Sequence, residues 1–385
     1  MTRAFLRGRR IGLLAGGGLS SWAVAKLLAE EGADFQVHFA DVGQVDETHA
    51  QAFLDDMERH RIPCRRHDLR DAAAALALDL VRCRAGYEGG YWNTTGALRL
   101  VLLANLAPRL VEAGCDILAH GCVGGGNDQR RFERLTAHYA PGLEVLAPWT
   151  DPVLRVRCPD RAGMVRVIEA DGPIAGVAGK AAVSSDGSLM GVSHEGTAIE
   201  ALDRPWRAAP FALSRTPQAA PDETVAVRVG IEGGALATLD GRPQTARGAM
   251  EAANALAGRA GVGLTSVIET RIIGTKCRGI YEAPGMTLLG FAYEQLARAV
   301  LSPASLALHE ELSRVLGRAV YEGRSFEAHA AAARAALVDM TGVLGGEVEV
   351  ALYKGNLALD GLRNLPADAL GAHQHRFAAG GQVWT

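Results

Sequence analysis

Apolar and polar positions follow two rhythms along the chain. Residues 11–14 form a short apolar run that breaks into Gly16-Gly17-Gly18, and an amphipathic helix is predicted over 20–31, stopped by Gly32. Residues 35–40 predict a second strand, with Gly43 in the turn beyond it. Residues 49–61 predict a helix ending before Pro63, and 98–113 a long apolar-striped helix closed by Gly114. Residues 115–120 and 143–147 predict buried strands. Alternation of strand and helix with apolar strands implies a parallel sheet covered on both faces. Ligands of such sheets sit beyond the carboxyl ends of the strands. The glycine loop, residues 41–44 and residues 121–128 each follow a strand, so all three are expected at one cleft.

The rhythm changes near residue 173. Residues 174–177 are apolar between glycines, and 225–231 with 236–239 read as a hairpin across Gly233-Gly234. Helices are expected over 246–257, 287–301 and 325–343, and strands over 262–268 and 271–275. A last hairpin joins 348–354 to 357–359 across Gly355-Asn356. The expected organisation is a nucleotide-binding α/β domain over 1–172, an α+β domain over 173–363, and a weakly ordered tail over 364–385.

The glycine loop gives this frame its first chemistry. Glycines allow a sharp bend and close approach to a ligand, and the first amides of a helix hold anions. A nucleotide phosphate is the expected guest, although neither the Gly-Lys-Ser/Thr ending nor Gly-x-Gly-x-x-Gly is present. The net charge of −3 favours neither nucleic acid nor a membrane surface. No apolar run reaches the ~20 residues of a membrane span, and residues 11–14 are too short for a signal-peptide core, so a cytoplasmic protein is expected. Six scattered cysteines without a Cys-x-x-Cys pair point to free thiols. His373 and His375 lack nearby metal-ligand partners, so no metal site is assigned.

Four segments carry candidate site residues. Gly124 to Glu133 combines glycines, an amide, a carboxylate and arginines, which suits a substrate bearing ammonium and carboxylate. A capped helix start with Asn127 or Asp128 as N-cap is the plain alternative. Residues 269–285 are dense in charge, as an exposed, ion-paired strand pair would be. Residues 184–195 are hydroxyl-rich, which an ordinary turn also explains. Tyr87 to Thr95 precedes Arg99, which is either a buried anion clamp or a helix-face residue.

Together these segments resemble the argininosuccinate synthase family over about residues 10–360. Ala40-Asp-Val-Gly-Gln44 is similar to the family's Ala-Asp/Asn-x-Gly-Gln, and His120 to Glu133 to its His-Gly-x-Thr-Gly-Lys-Gly-Asn-Asp-Gln-x-Arg-Phe-Glu. Glu269 to Pro284 is similar to Glu-Asn-Arg-x-x-Gly-x-Lys-Ser-Arg-Gly-x-Tyr-Glu-x-Pro, and Gly230 to Gly234 and Leu352 to Asn356 also fit. The resemblance implies a Rossmann-like N-type ATP pyrophosphatase domain, a synthetase domain and a homotetramer. It implies an ATP-dependent carbon–nitrogen ligase, cytoplasmic and biosynthetic. Citrulline's ureido oxygen would attack the α-phosphorus of ATP, and the aspartate amine would displace AMP, with Mg²⁺ accompanying ATP. Amino-acid substrates are the implied partners.

Carried over by position, Ala15, Gly16, Gly17, Gly18, Ser20, Ser21, Ala40 and Gly121 would contact the nucleotide. Tyr91, Thr95, Arg99, Asn127, Asp128, Arg131, Ser184, Ser193, Glu269 and Tyr281 would contact the amino-acid substrates, with Asn127, Asp128 and Arg131 at the reacting centre. The chain departs from the family where the loop Ser-Gly-Gly-Leu-Asp-Thr-Ser reads Gly16-Gly-Gly-Leu-Ser20-Ser-Trp22. Val123 stands for the threonine expected on the aspartate carboxylate, Gly125 for a lysine and Gly96 for a serine. The expectation is a divergent ligase with an altered phosphate loop that couples a citrulline-like acceptor to an amine, either aspartate or another nucleophile. Two alternatives stay open: other chemistry on a similar substrate, and a non-catalytic binding subunit.

Overall fold

The computed structural model describes residues 6–366 apart from 124, 175 and 178–182, together with residue 369. Gly124, the pair His373/His375 and most of the tail lie outside the described residues.

The first half alternates β1 (Arg10–Ala15), α1 (Leu19–Glu30), β2 (Asp34–Asp41), α2 (Glu47–Arg59), β3 (Cys64–Asp68), α3 (Arg70–Arg82), α4 (Thr94–Glu112), β4 (Ile117–His120), α5 (Asn127–Tyr139) and β5 (Glu144–Leu146). The strands pair in parallel in the order β3-β2-β1-β4-β5. Ile11, Leu13, Val37 and Ile117 are buried in this sheet, because helices cover both faces. Leu14 stands level with His38 on one side and His120 on the other, so the loops after β1, β2 and β4 leave the same edge.

Two short helices, α6 (Pro152–Arg157) and α7 (Arg161–Ile168), lead to the second half. It continues with β6 (Ser184–Ser188), β7 (Gly191–Glu195), α8 (Thr197–Glu200), β8 (Val225–Glu232), β9 (Ala235–Leu239), β10 (Arg242–Pro243) and α9 (Ala246–Arg259). Then come β11 (Leu264–Thr270), β12 (Lys276–Glu282), α10 (Pro284–Val300), α11 (Pro303–Tyr321), α12 (Ala328–Thr341), β13 (Gly346–Tyr353) and β14 (Asn356–Arg363). Two antiparallel sheets result, ordered β11-β12-β7-β6 and β10-β9-β8-β13-β14. The α/β plus α+β expectation holds.

Several local expectations are corrected. Residues 271–275 are not a strand but the turn between β11 and β12, closed by Gly274 at φ +84°. Residues 184–195 are not a plain turn but the hairpin β6–β7, whose backbone ladder uses the hydroxyl-bearing residues. The β11–β12 pair is not a solvated, ion-paired ribbon, since Glu269, Tyr281 and Glu282 are buried. α5 starts at Asn127 with Gly126 as N-cap, so neither Asn127 nor Asp128 caps it. The six cysteines are free. One hydrophobic core runs through both halves: α3 packs against α9 and α10, and Ala77 and Leu80 share that core with Met250, Leu289 and Val350.

Candidate functional site

The three loops after β1, β2 and β4 meet at the edge of the parallel sheet. Gly17 adopts φ +83°, and a Cβ there would come 3.0 Å from the Ala50 backbone, so glycine is required. α1 begins with Gly18 as N-cap and no capping side chain, which leaves its first amides open to an anion. Ser21 Oγ is spent on the Gly18 carbonyl at 3.0 Å. Gln44 Nε2 donates to the carbonyls of Ala40 at 2.6 Å and Gly16 at 3.3 Å, tying the second loop to the first. Gly121 lies against the Ser20–Ser21 backbone, where any side chain would collide. Ala15 and Ala40 are buried at the strand ends, and Ser20 is half-buried in the first turn of α1.

Next to this edge, the face of the β11-β12-β7-β6 sheet is set by register. Glu269 faces Cys277, Tyr281 faces Ser193, Ser193 faces Asp186, and Glu195 faces Ser184. The Glu269 carboxylate is only 3% exposed and accepts from Tyr281 Oη at 2.9 Å and Tyr321 Oη at 2.7 Å. Burial pushes its carboxyl upward, and the two hydroxyls and Arg131 oppose this. The Tyr91 and Tyr281 rings stack at 3.8 Å, and Tyr91 Oη accepts from the Thr95 amide at 2.9 Å. Thr95 Oγ1 and Ser193 Oγ share a hydrogen bond at 2.6 Å. Asn127 Nδ2 donates to Tyr321 Oη at 2.9 Å, while its Oδ1 accepts from the Ile272 amide.

A chain of charges borders these groups. Arg99 Nη2 donates to Asp128 Oδ2 at 2.9 Å and to Asp186 Oδ2 at 2.5 Å. Arg131 Nη1 donates to Asp128 Oδ1 at 2.7 Å. Burial alone would raise the Asp128 carboxyl, but the two guanidinium groups overcome it and hold it below the usual range. Arg99 is therefore a buried clamp rather than a solvated helix-face residue. Its Nε–H has no partner among the described residues. Glu195 stands at the open rim of the cleft. Desolvation by the surrounding walls, with the charges of Asp128, Asp186 and Glu200, pushes its carboxyl up to about 7.

The structure thus brings together Tyr91, Thr95, Arg99, Asn127, Asp128, Arg131, Ser193, Glu269 and Tyr281, with Ser184 at the rim of the same sheet face. Sequence reasoning missed Tyr321 and Asp186, and Tyr87, at the head of the segment that runs to Thr95, was given no role. Asp186 stood inside the hydroxyl-rich segment, two residues from Ser184, and register would have placed it on the same face. Tyr321 had no motif to mark it.

The model of the arginosuccinate synthase N-terminal HUP domain matches residues 10–157, and that of the arginosuccinate synthase C-terminal domain matches residues 183–368. The argininosuccinate synthase of Edwardsiella ictaluri is 32% identical over 349 residues, spanning 90% of this chain and 85% of that protein. The Leptospira biflexa enzyme is 30% identical, over 92% and 88% of the two chains. The chloroplastic enzyme of Arabidopsis thaliana is 29% identical, over 93% and 72%. The chain belongs to the argininosuccinate synthase family. Its relatives are ATP-dependent carbon–nitrogen ligases. A solved chain, the U34-tRNA thiolase NcsA of Methanococcus maripaludis, matches 46% of this chain at 12% identity and a TM-score of 0.29, a likeness too slight to bear on fold or function.

Within argininosuccinate synthases, the departures of this chain now have places. Trp22 is fully buried and points away from the loop: Nε1 donates to Asp56 Oδ2 at 2.7 Å, and the ring meets Phe53 edge-on at 5.5 Å. The indole is a core side chain between α1 and α2 and leaves the anion site clear. Val123 is 55% exposed beside the cleft. Gly96 lies under α11, where a Cβ would come 2.9 Å from the Val320 carbonyl. No group of three or more His, Cys, Asp or Glu suited to a metal occurs among the described residues.

Proposed function

We propose that this protein activates a citrulline-like ureido acceptor with ATP and couples it to an amine other than aspartate. The observation that carries this reading is the closed acceptor set Tyr91–Asn127–Arg131–Glu269–Tyr281 beside a glycine loop with uncapped amides. Glu269 suits the acceptor's ammonium and Arg131 its carboxylate. The acceptor's ureido oxygen would form the bond to the α-phosphorus as the bond to pyrophosphate breaks. The amine would then displace AMP. These residues supply position and charge rather than covalent chemistry.

The loop would grip phosphate with main-chain amides. Each missing side-chain donor costs about 3–4 kcal/mol of transition-state stabilisation, so slow turnover is expected. Mg²⁺ would arrive with the nucleotide, held by phosphate oxygens and water, because among the described residues no acidic cluster suited to a metal is present. Val123 is the reason to expect another amine, because its side chain, more than half exposed beside the cleft, offers no hydrogen bond to an amine's side-chain carboxylate where a threonine hydroxyl would. A cytoplasmic homotetramer in a specialised biosynthetic role is the setting this reading favours.

The test is pyrophosphate release from ATP, with citrulline and related ureido acceptors crossed against aspartate and amines lacking its side-chain carboxylate. Release that requires both acceptor and amine is expected, faster with the latter amines. Silence across the whole panel, in protein that binds ATP, overturns the reading in favour of other chemistry or a binding subunit.

A further inference from the structure

We propose that Tyr321, the last residue of α11, is a positioning residue of the acceptor site, held there by the glycine at position 96. This rests on the acceptor reading above and deepens it.

Tyr321 is 1% exposed, and each part of it engages a different site residue. Its hydroxyl donates to Glu269 Oε1 at 2.7 Å and accepts from Asn127 Nδ2 at 2.9 Å. Its carbonyl accepts from Arg131 Nε at 2.6 Å, and the Arg131 guanidinium lies 4.9 Å from its ring centre. The ring also stacks on Tyr87 at 3.7 Å and meets Tyr91 edge-on at 6.4 Å. One residue of the C-terminal half therefore fixes the carboxylate from β11, the amide at the start of α5 and the guanidinium one turn further along. A hydroxyl that both donates and accepts leaves the Glu269 oxygen and the Asn127 amide only one mutual orientation.

Position 96 explains how Tyr321 gets so close. A Cβ at Gly96 would stand 2.9 Å from the Val320 carbonyl and 3.4 Å from the Tyr321 Cα. Any side chain there would push the end of α11 outward. Gly323, at φ +68°, lets the chain turn away directly over the Arg131 backbone. The place of a side chain on α4 is taken by the backbone that delivers Tyr321.

The test uses the full-length protein with Tyr321→Phe and Gly96→Ala. Tyr321→Phe is expected to raise the citrulline KM and dissociation constant about tenfold, as loss of one charge-assisted hydrogen bond does, while the KM for ATP stays unchanged. Gly96→Ala, which removes no polar group, is expected to weaken the acceptor in the same direction. A substrate-free readout separates this proposal from the acceptor reading. The titratable and charged groups facing Glu269 are Arg131, Glu88, Cys277, Tyr87, Tyr281 and Tyr321. If Tyr321 steadies the ionised carboxylate, Tyr321→Phe lowers the unfolding midpoint more at about pH 8 than at about pH 4. In a Glu269→Gln background that pH dependence disappears. Wild-type protein that ignores every ureido acceptor sinks the acceptor reading, and the pH-dependent difference then still decides whether Tyr321 holds Glu269. Equal loss at both pH values, in the parent as in Glu269→Gln, overturns the positioning role, and unchanged acceptor affinity in Gly96→Ala overturns the part given to position 96.

Discussion

Trp22 sits at a phosphate-loop position yet serves the core, with its indole nitrogen on Asp56 and its ring among His49 and Phe53. Lys26 Nζ lies 3.7 Å from the same Asp56 oxygen and 2.7 Å from His60 Nε2, so a small buried polar network depends on the indole. Trp22→Ser is therefore expected to cost about 3–5 kcal/mol and not to reopen a catalytic loop. Chemical denaturation measures the first, and an ATP titration of the folded fraction the second. Tighter ATP binding with unchanged stability would contradict this placement. Glu195 gives a second residue-level expectation. Its carboxyl ionises less readily in the folded protein than in the unfolded chain, so ionisation costs stability. That cost grows as pH rises from the ordinary 4.5 towards 7 and is complete above it. Glu195→Gln should raise the urea midpoint at about pH 8 and leave it unchanged at about pH 4, the proton being bound there in both states. A gain of equal size at both values would mean that charge is not the cause.

Among the elements, α11 joins the two halves at the site. Asn93 holds its end, donating from Nδ2 to the Gly317 carbonyl at 2.9 Å and to Ala85. Gly317 lies directly on the Gly86 carbonyl. Gly317→Ala is expected to cost about 1–3 kcal/mol by forcing the helix off its seat, and to weaken the acceptor site along with stability. Paired denaturation and acceptor titrations would separate this from a local defect. Elements differ in how readable they were. β1, β2 and β4 were legible because both faces are covered and their residues are apolar. β3 was not, because among its five residues only His67 is buried, as befits the edge of the sheet. α3 was hidden by a stretch of alanines with weak periodicity. α11 carried a usable mark, Ser302 before Pro303 at a helix start, with Ser302 accepting from the Ser305 amide. The kept motifs announced Glu269, Tyr281, Asn127 and Arg131, whereas Tyr321 depended on a long-range packing that no local pattern encodes.

At the scale of the molecule, the halves matched by two family models share one core. α3 contributes Ala73, Ala77 and Leu80 to a layer completed by α9 and α10. A fragment of residues 1–172 would expose that face and is expected not to fold cooperatively. A sharp thermal transition with native-like near-ultraviolet dichroism in the fragment would refute this. The glycine loop lies on the other side of the same sheet edge, and there the nearby side chains are turned elsewhere: Trp22 into the core, Ser21 onto Gly18. What remains at the loop, beside the half-buried Ser20, is peptide backbone, common to every sequence that can make the bend. A grip of that kind is nearly invisible to point mutation and free to drift in its side chains. Divergence could thus rewrite the loop's spelling while its architecture stayed in place, leaving the history of the loop recorded in geometry rather than in letters.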